Sequence, residues 1–165
     1  MKIRILTCFG ILWCCIAQSQ DTPKTAIETV LDDWHRAAAR ADFETYFGYM
    51  TEDAVFIGTD PTEYWAGEAF RKFSKPYFDR GKAWDFKVVE RHVYWNNAKD
   101  LAWFDELLDT RMEICRGSGV LQKINGNWKI VHYVLSLTVP NEDVNELVQL
   151  KKESDSLLLL QLQKH

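Results

Sequence analysis

From Trp84 to Thr138 the sequence period switches to two, in four runs rich in β-branched and aromatic residues and broken by turn-forming residues. That pattern confines this half of the chain to a sheet. The runs cover about 84–95, 101–109, 113–124 and 127–138, with breaks at Asn96-Asn97, around Thr110-Arg111, and at Asn125-Gly126. Asn-Gly is the strongest of these breaks, because both central residues of a type I′ turn need positive φ. Consecutive strands joined by short turns form an antiparallel meander.

The first half of the chain has a different period. Asp21-Thr22-Pro23 offers a cap residue followed by a proline at the first helical position. Ile27, Val30, Leu31, Trp34, Ala38 and Ala41 then recur at helical spacing. Asp42 restarts a shorter helix bearing Phe43, Tyr46, Phe47 and Met50, and a short strand is expected at 54–57. Asp60-Pro61-Thr62-Glu63 has the residues of a capping box, which predicts a further helical stretch to about Arg80 with a break at Gly67. Pro140-Asn141-Glu142 closes the sheet region and opens a last helix over about 142–163. This helix is expected either to lie on the body or to meet a second subunit. Helices first and strands afterwards define an α+β domain, with N-terminal helices packed on a curved antiparallel sheet and a C-terminal helix added.

Residues 1–19 have the pattern of a secretory signal. Lys2 and Arg4 precede an apolar run from Ile5 to Ala17, and Ala17-Gln18-Ser19 supplies small residues for cleavage near Ser19. The run is too short for a stable membrane span. An exported protein, periplasmic or extracellular, is therefore expected: a signal at 1–19, a domain at 20–141 and a helical extension at 142–165. Lipidation at Cys14 or Cys15 is an alternative, but Trp13 and Cys14 stand where lipoprotein processing wants a small residue. Cleavage would leave Cys115 as the one cysteine, which excludes an intramolecular disulfide and a cysteine metal cluster. Losing Lys2 and Arg4 would take the formal charge from −4 to −6, against nucleic acid as a partner.

Several stretches carry a family resemblance: Asp42-Phe43, Phe56-Ile57-Gly58-Thr59-Asp60, Ala102-Trp103-Phe104-Asp105-Glu106, Arg116-Gly117-Ser118-Gly119-Val120-Leu121, and Trp128-Lys129-Ile130-Val131-His132-Tyr133. In this order of elements they resemble the SnoaL-like domains of the nuclear transport factor 2-like superfamily, over about residues 24–141. The Trp128 to Tyr133 stretch, with Ser136, is also similar to the last strand of the association domain of calcium/calmodulin-dependent kinases. The resemblance implies a cone-shaped fold around a pocket. It leaves activity open, since such domains include isomerases, dehydratases, cyclases, binders and assembly modules.

Strand register proposes a lining for that pocket. A two-residue turn at Asn125-Gly126 sets Leu121 opposite Ile130, Gly119 opposite His132 and Gly117 opposite Val134. His132 then shares a face with Trp128 and Ser136, whereas Arg116, Val131, Tyr133 and Leu135 take the other, unless a β-bulge intervenes. The His132 face is expected to line the cavity. Asp105 on the neighbouring strand would orient His132 or act itself as acid or base, and the alternative is a buried hydrogen bond with no chemistry. Glu106 points away from Asp105, so only one of them can face the pocket. Trp65, Trp84, Trp103, Tyr49 and Tyr133 are candidates for an aromatic wall. Arg116 would hold a substrate carboxylate or pair across strands, and Asp60 is a ligand contact or only a cap.

With 7 Trp, 6 Tyr and 9 Phe in 165 residues, there is material for both a core and a cavity wall. His35, His92 and His132 stand singly, so no metal site and no cofactor are expected. No phosphate loop, dinucleotide motif or nucleophile elbow occurs. Three readings follow. One is binding of a small hydrophobic or carboxylate-bearing molecule. Another is cofactor-free isomerase, cyclase or dehydratase chemistry at Asp105 or His132. The third is oligomerisation, with a homodimer expected.

Overall fold

The structure is a computed structural model that describes residues 22–164. The signal segment, with Cys14 and Cys15, lies outside the described residues. Helix α1 (Pro23–Ala39) starts where its cap predicts, the Thr22 hydroxyl accepting from the Thr25 N–H at 3.4 Å. Helix α2 (Phe43–Gly48) is capped by Asp42, whose carboxylate accepts from the Thr45 N–H at 3.1 Å. Strand β1 (Met50–Ile57) begins earlier than expected.

The capping-box tetrapeptide does not start a helix. The Glu63 carboxylate does accept from the Asp60 N–H at 3.3 Å, but the Gly58 N–H donates to the Glu63 carbonyl at 2.9 Å. That second bond turns the chain back on itself as strand β2 (Tyr64–Ala66), antiparallel to β1. Helix α3 (Glu68–Asp79) follows Gly67.

The meander is present as expected: β3 (Lys87–Trp95), β4 (Leu101–Thr110), β5 (Glu113–Ile124) and β6 (Asn127–Leu137). β1 lies parallel to β6, so the sheet is mixed and six-stranded, in the order β2-β1-β6-β5-β4-β3. After a 3₁₀ turn at Asn141–Asp143, helix α4 (Val144–Leu162) runs on without burying any of its residues.

One face of the sheet is covered by α1, α2 and α3. Ile27, Leu31, Trp34 and Ala38 of α1 are buried, as their spacing predicts, and the Trp34 indole meets the Tyr133 ring edge-on at 4.9 Å. Sealing a Leu or Phe side chain in this way stabilises the fold by roughly 1.5–3 kcal/mol.

Two β-bulges decide which side chains face the helices. The hairpin register is as expected as far as Leu121 opposite Ile130, but the pairing then shifts. Val120 stands opposite His132, and Gly119 opposite Tyr133. The expectation that His132 faces inward is therefore corrected. Tyr133 and Leu135 point inward beside Trp128 and Ile130, and His132 points outward. A second bulge, between Val88 and Glu90, turns Arg91 inward and His92 outward. The glycines opposite β6 do not leave open space. A Cβ at Gly117 would run into the Tyr133 hydroxyl, and one at Gly119 would come within 2.7 Å of the Phe104 ring.

Candidate functional site

Between α3, the segment after it and the end of β1 lies a cavity of about 530 Å³. Phe70, Phe73 and Tyr77 come from α3, and Trp84 and Phe86 from the segment before β3. Phe56 of β1, Leu135 of β6 and Met112 of the β4–β5 turn complete the apolar wall. Phe56 and Phe70 stack at 4.3 Å with planes 12° apart, giving the wall a flat surface. Its polar groups are Thr59, Glu63, Arg80, Lys82 and Arg111. None of these three cations forms an ion pair among the described residues, though Arg80 lies over the Tyr77 ring at 4.9 Å, so the lining carries three positive charges against the one negative charge of Glu63 in a chain of formal charge −4.

Behind the cavity wall sits a buried ionic network. The Glu106 carboxylate takes His35 Nε2 at 2.8 Å and the Tyr133 hydroxyl at 3.1 Å on one oxygen, and Arg91 Nε at 2.8 Å on the other. Arg91 also reaches Asp32 at 2.7 Å. Burial works to raise the Glu106 pKa, but the His35 hydrogen bond and the charges of His35 and Arg91 hold it below the ordinary carboxylate range. Burial, with Glu106 beside it, pushes the Tyr133 hydroxyl well above its ordinary value, so it stays a donor. The network is one ring removed from the cavity. Phe56 packs on Tyr133 at 5.4 Å and Phe86 on His35 at 6.1 Å.

The expected site residues are dispersed. Trp84 lines the cavity, and Trp65 supports it by stacking on Phe73 at 4.4 Å. Tyr133 lies beneath, fully buried. Asp60 is beside the rim, where its carboxylate accepts from the Thr62 N–H at 2.8 Å, and hydrogen bonds from Thr62 lower its pKa. Tyr49 is away from the cavity lining, and its hydroxyl donates to Asp33 at 3.2 Å. Trp103, Arg116, Asp105 and His132 all lie on the outer face. There Trp103 stacks on Tyr94 at 6.0 Å, and Arg116 has no ion pair among the described residues. Asp105 binds His92 at 3.1 Å and not His132. Asp105 faces outward in the regular β4–β5 ladder and the β6 bulge turns His132 outward, so the expected Asp105–His132 pair does not form in the cavity.

Sequence reasoning weighed Glu106 only as the alternative to Asp105, and missed its partners His35, Arg91 and Asp32 and the cavity residues Arg111, Arg80 and Lys82. One signal for Glu106 was available, since it alternates with Phe104 and Leu108. Among the described residues no group of His, Cys, Asp or Glu side chains could hold a metal ion, and no helix is long and apolar enough to cross a membrane.

Helices on one face of a curved sheet around an aromatic cavity define a nuclear transport factor 2-like fold, shared by several solved structures. An NTF2-like protein from Pseudomonas putida is 17% identical with a TM-score of 0.59, over 70% of this chain and 87% of that one. A DUF3225-family protein from Pectobacterium atrosepticum is 18% identical with a TM-score of 0.60, over 71% and 91%. The association domain of C. elegans CaMKII is 23% identical with a TM-score of 0.56, over 69% and 95%. No curated protein matches the chain in sequence. The model of the SnoaL-like domain matches residues 27–140, and the chain belongs to that family. Its fold is that of a small-molecule-binding or enzyme-like domain in general.

Proposed function

We propose that the cavity binds a flat, largely apolar molecule bearing a carboxylate or similar anionic group, without turning it over. The observation that carries this reading is the set Arg80, Lys82 and Arg111, three cations without ion-pair partners among the described residues against the single carboxylate of Glu63, on a cavity walled mainly by aromatic rings. Stacked rings accept a planar ligand, and the exposed cations at the mouth can pair with an anionic group on it, Arg80 and Arg111 in bidentate fashion. Binding is favoured over catalysis because Asp105 and His132 are both absent from the lining, and the buried carboxylate Glu106 is already held by three donors.

Trp84 makes binding visible by intrinsic fluorescence. Titration with 2-naphthoate should quench or shift the emission saturably, while 2-naphthamide, matched in shape but neutral, should bind at least about tenfold more weakly. Arg111→Ala should remove most of that preference. Equal affinity for acid and amide would sink the anionic part of the reading, and no saturable response to either would sink the whole.

A further inference from the structure

Helix α4 lies beyond the SnoaL-like span of 27–140, buries none of its residues, and leaves Val144, Val148 and Leu162 exposed. The face it shows has an internal order. Val144, Val148, Lys151, Asp155, Leu158 and Leu162 follow one another in alternating steps of four and three. That is the spacing of a coiled-coil seam, and over 19 residues it is about 28 Å long.

The seam reads the same by class from either end: two apolar residues, two charges, two apolar residues. Antiparallel pairing about a two-fold axis at Glu153 sets Val144 against Leu162, Val148 against Leu158, and Lys151 against Asp155 of the second helix. Parallel pairing would set Lys151 on Lys151 and Asp155 on Asp155, like charge on like. Within one helix Lys151 and Asp155 are 3.2 Å apart, so in the antiparallel pair four charges of alternating sign surround the axis. Lys152 flanks the axis, where its long stem leaves the ammonium in water.

We propose that α4 is a self-association element, pairing antiparallel with α4 of a second copy of this chain through this seam. The charge pattern selects both the occupant and its direction, since it is complementary to itself only when reversed. The resulting dimer is built outside the ligand-binding domain and does not depend on what the cavity holds.

Sedimentation equilibrium of the purified protein in low salt tests this. The wild type should dimerise with concentration, and Lys151→Asp and Asp155→Lys should each weaken association at least about tenfold by bringing like charges together. The double variant Lys151→Asp/Asp155→Lys restores opposite charges across the seam and should recover most of the affinity. Far-UV circular dichroism separates lost pairing from lost helix in the single variants. A monomer at every concentration would overturn the proposal. So would a dimer indifferent to both single reversals, which would place association on the open sheet face, or a double variant no better than the single ones.

Discussion

On the inner face of the sheet His35 Nε2 meets Glu106 at 2.8 Å, with the two side chains 6% and 0% exposed. On the outer face His92 Nδ1 meets Asp105 at 3.1 Å, with side chains 50% and 38% exposed. The residue types are the same, and Asp105 and Glu106 are neighbours in β4, yet the physical situations differ. In the inner pair, water is gone and every lone pair matters, so Glu106 collects three donors and its partner Arg91 needs Asp32 as well. The outer pair is bathed in solvent, which screens the attraction and supplies substitute partners. A histidine–carboxylate pair in a β-sheet thus says little about role until its burial is known.

The largest expected effect comes from breaking the inner pair. Glu106→Gln should destabilise the fold by about 3–5 kcal/mol in urea denaturation, because Arg91 is left buried and short of its compensating charge. A loss below about 1 kcal/mol would show that water reaches the network and that the contrast between the faces is smaller than drawn.

Acid sharpens the same comparison. The folded-state pKa of Glu106 is depressed, so its contribution is fully present above the unfolded carboxyl value of about 4.3 and lost as pH falls through the lower folded value. Wild type and Glu106→Gln should therefore differ most near neutral pH and converge in acid below about pH 4. Parallel curves down to low pH would assign the stabilisation to packing and not to charge.

The smallest effect is expected on the outer face. Asp105→Ala should cost less than about 1 kcal/mol, and high salt should erase what difference there is. A larger loss in thermal melts would mean that the outer face is covered in the working protein, since only removal from water gives such a pair weight.

Much of the architecture was readable from local chemistry. The cap at Thr22, the restart at Asp42, the Asn125-Gly126 hairpin and the limits of β4, β5 and β6 all followed from residue type and spacing. The tetrapeptide Asp60 to Glu63 shows the limit of that approach, because the bond that would cap a helix also closes a tight turn. What chooses between them is the pairing of β2 on β1, which is set by residues elsewhere in the chain. Of the cavity, Trp84 was legible as a ring beside a strand, while Arg80, Lys82 and Arg111 looked like ordinary surface cations until the turns carrying them met at one mouth.

The amino-acid sequence by itself determined the order of elements apart from β2, the SnoaL-like class and the buried faces of α1 and α2, because those depend on neighbours within a few residues. Only the tertiary structure decided which face of each strand is inside. Alternation predicts orientation as long as the ladder is regular, and one extra residue at Val131 or at Val89 reverses everything beyond it. The bulges bring Tyr133 and Arg91 beneath the cavity beside Glu106, and turn His132 and His92 to the side that Asp105 takes by plain alternation in β4.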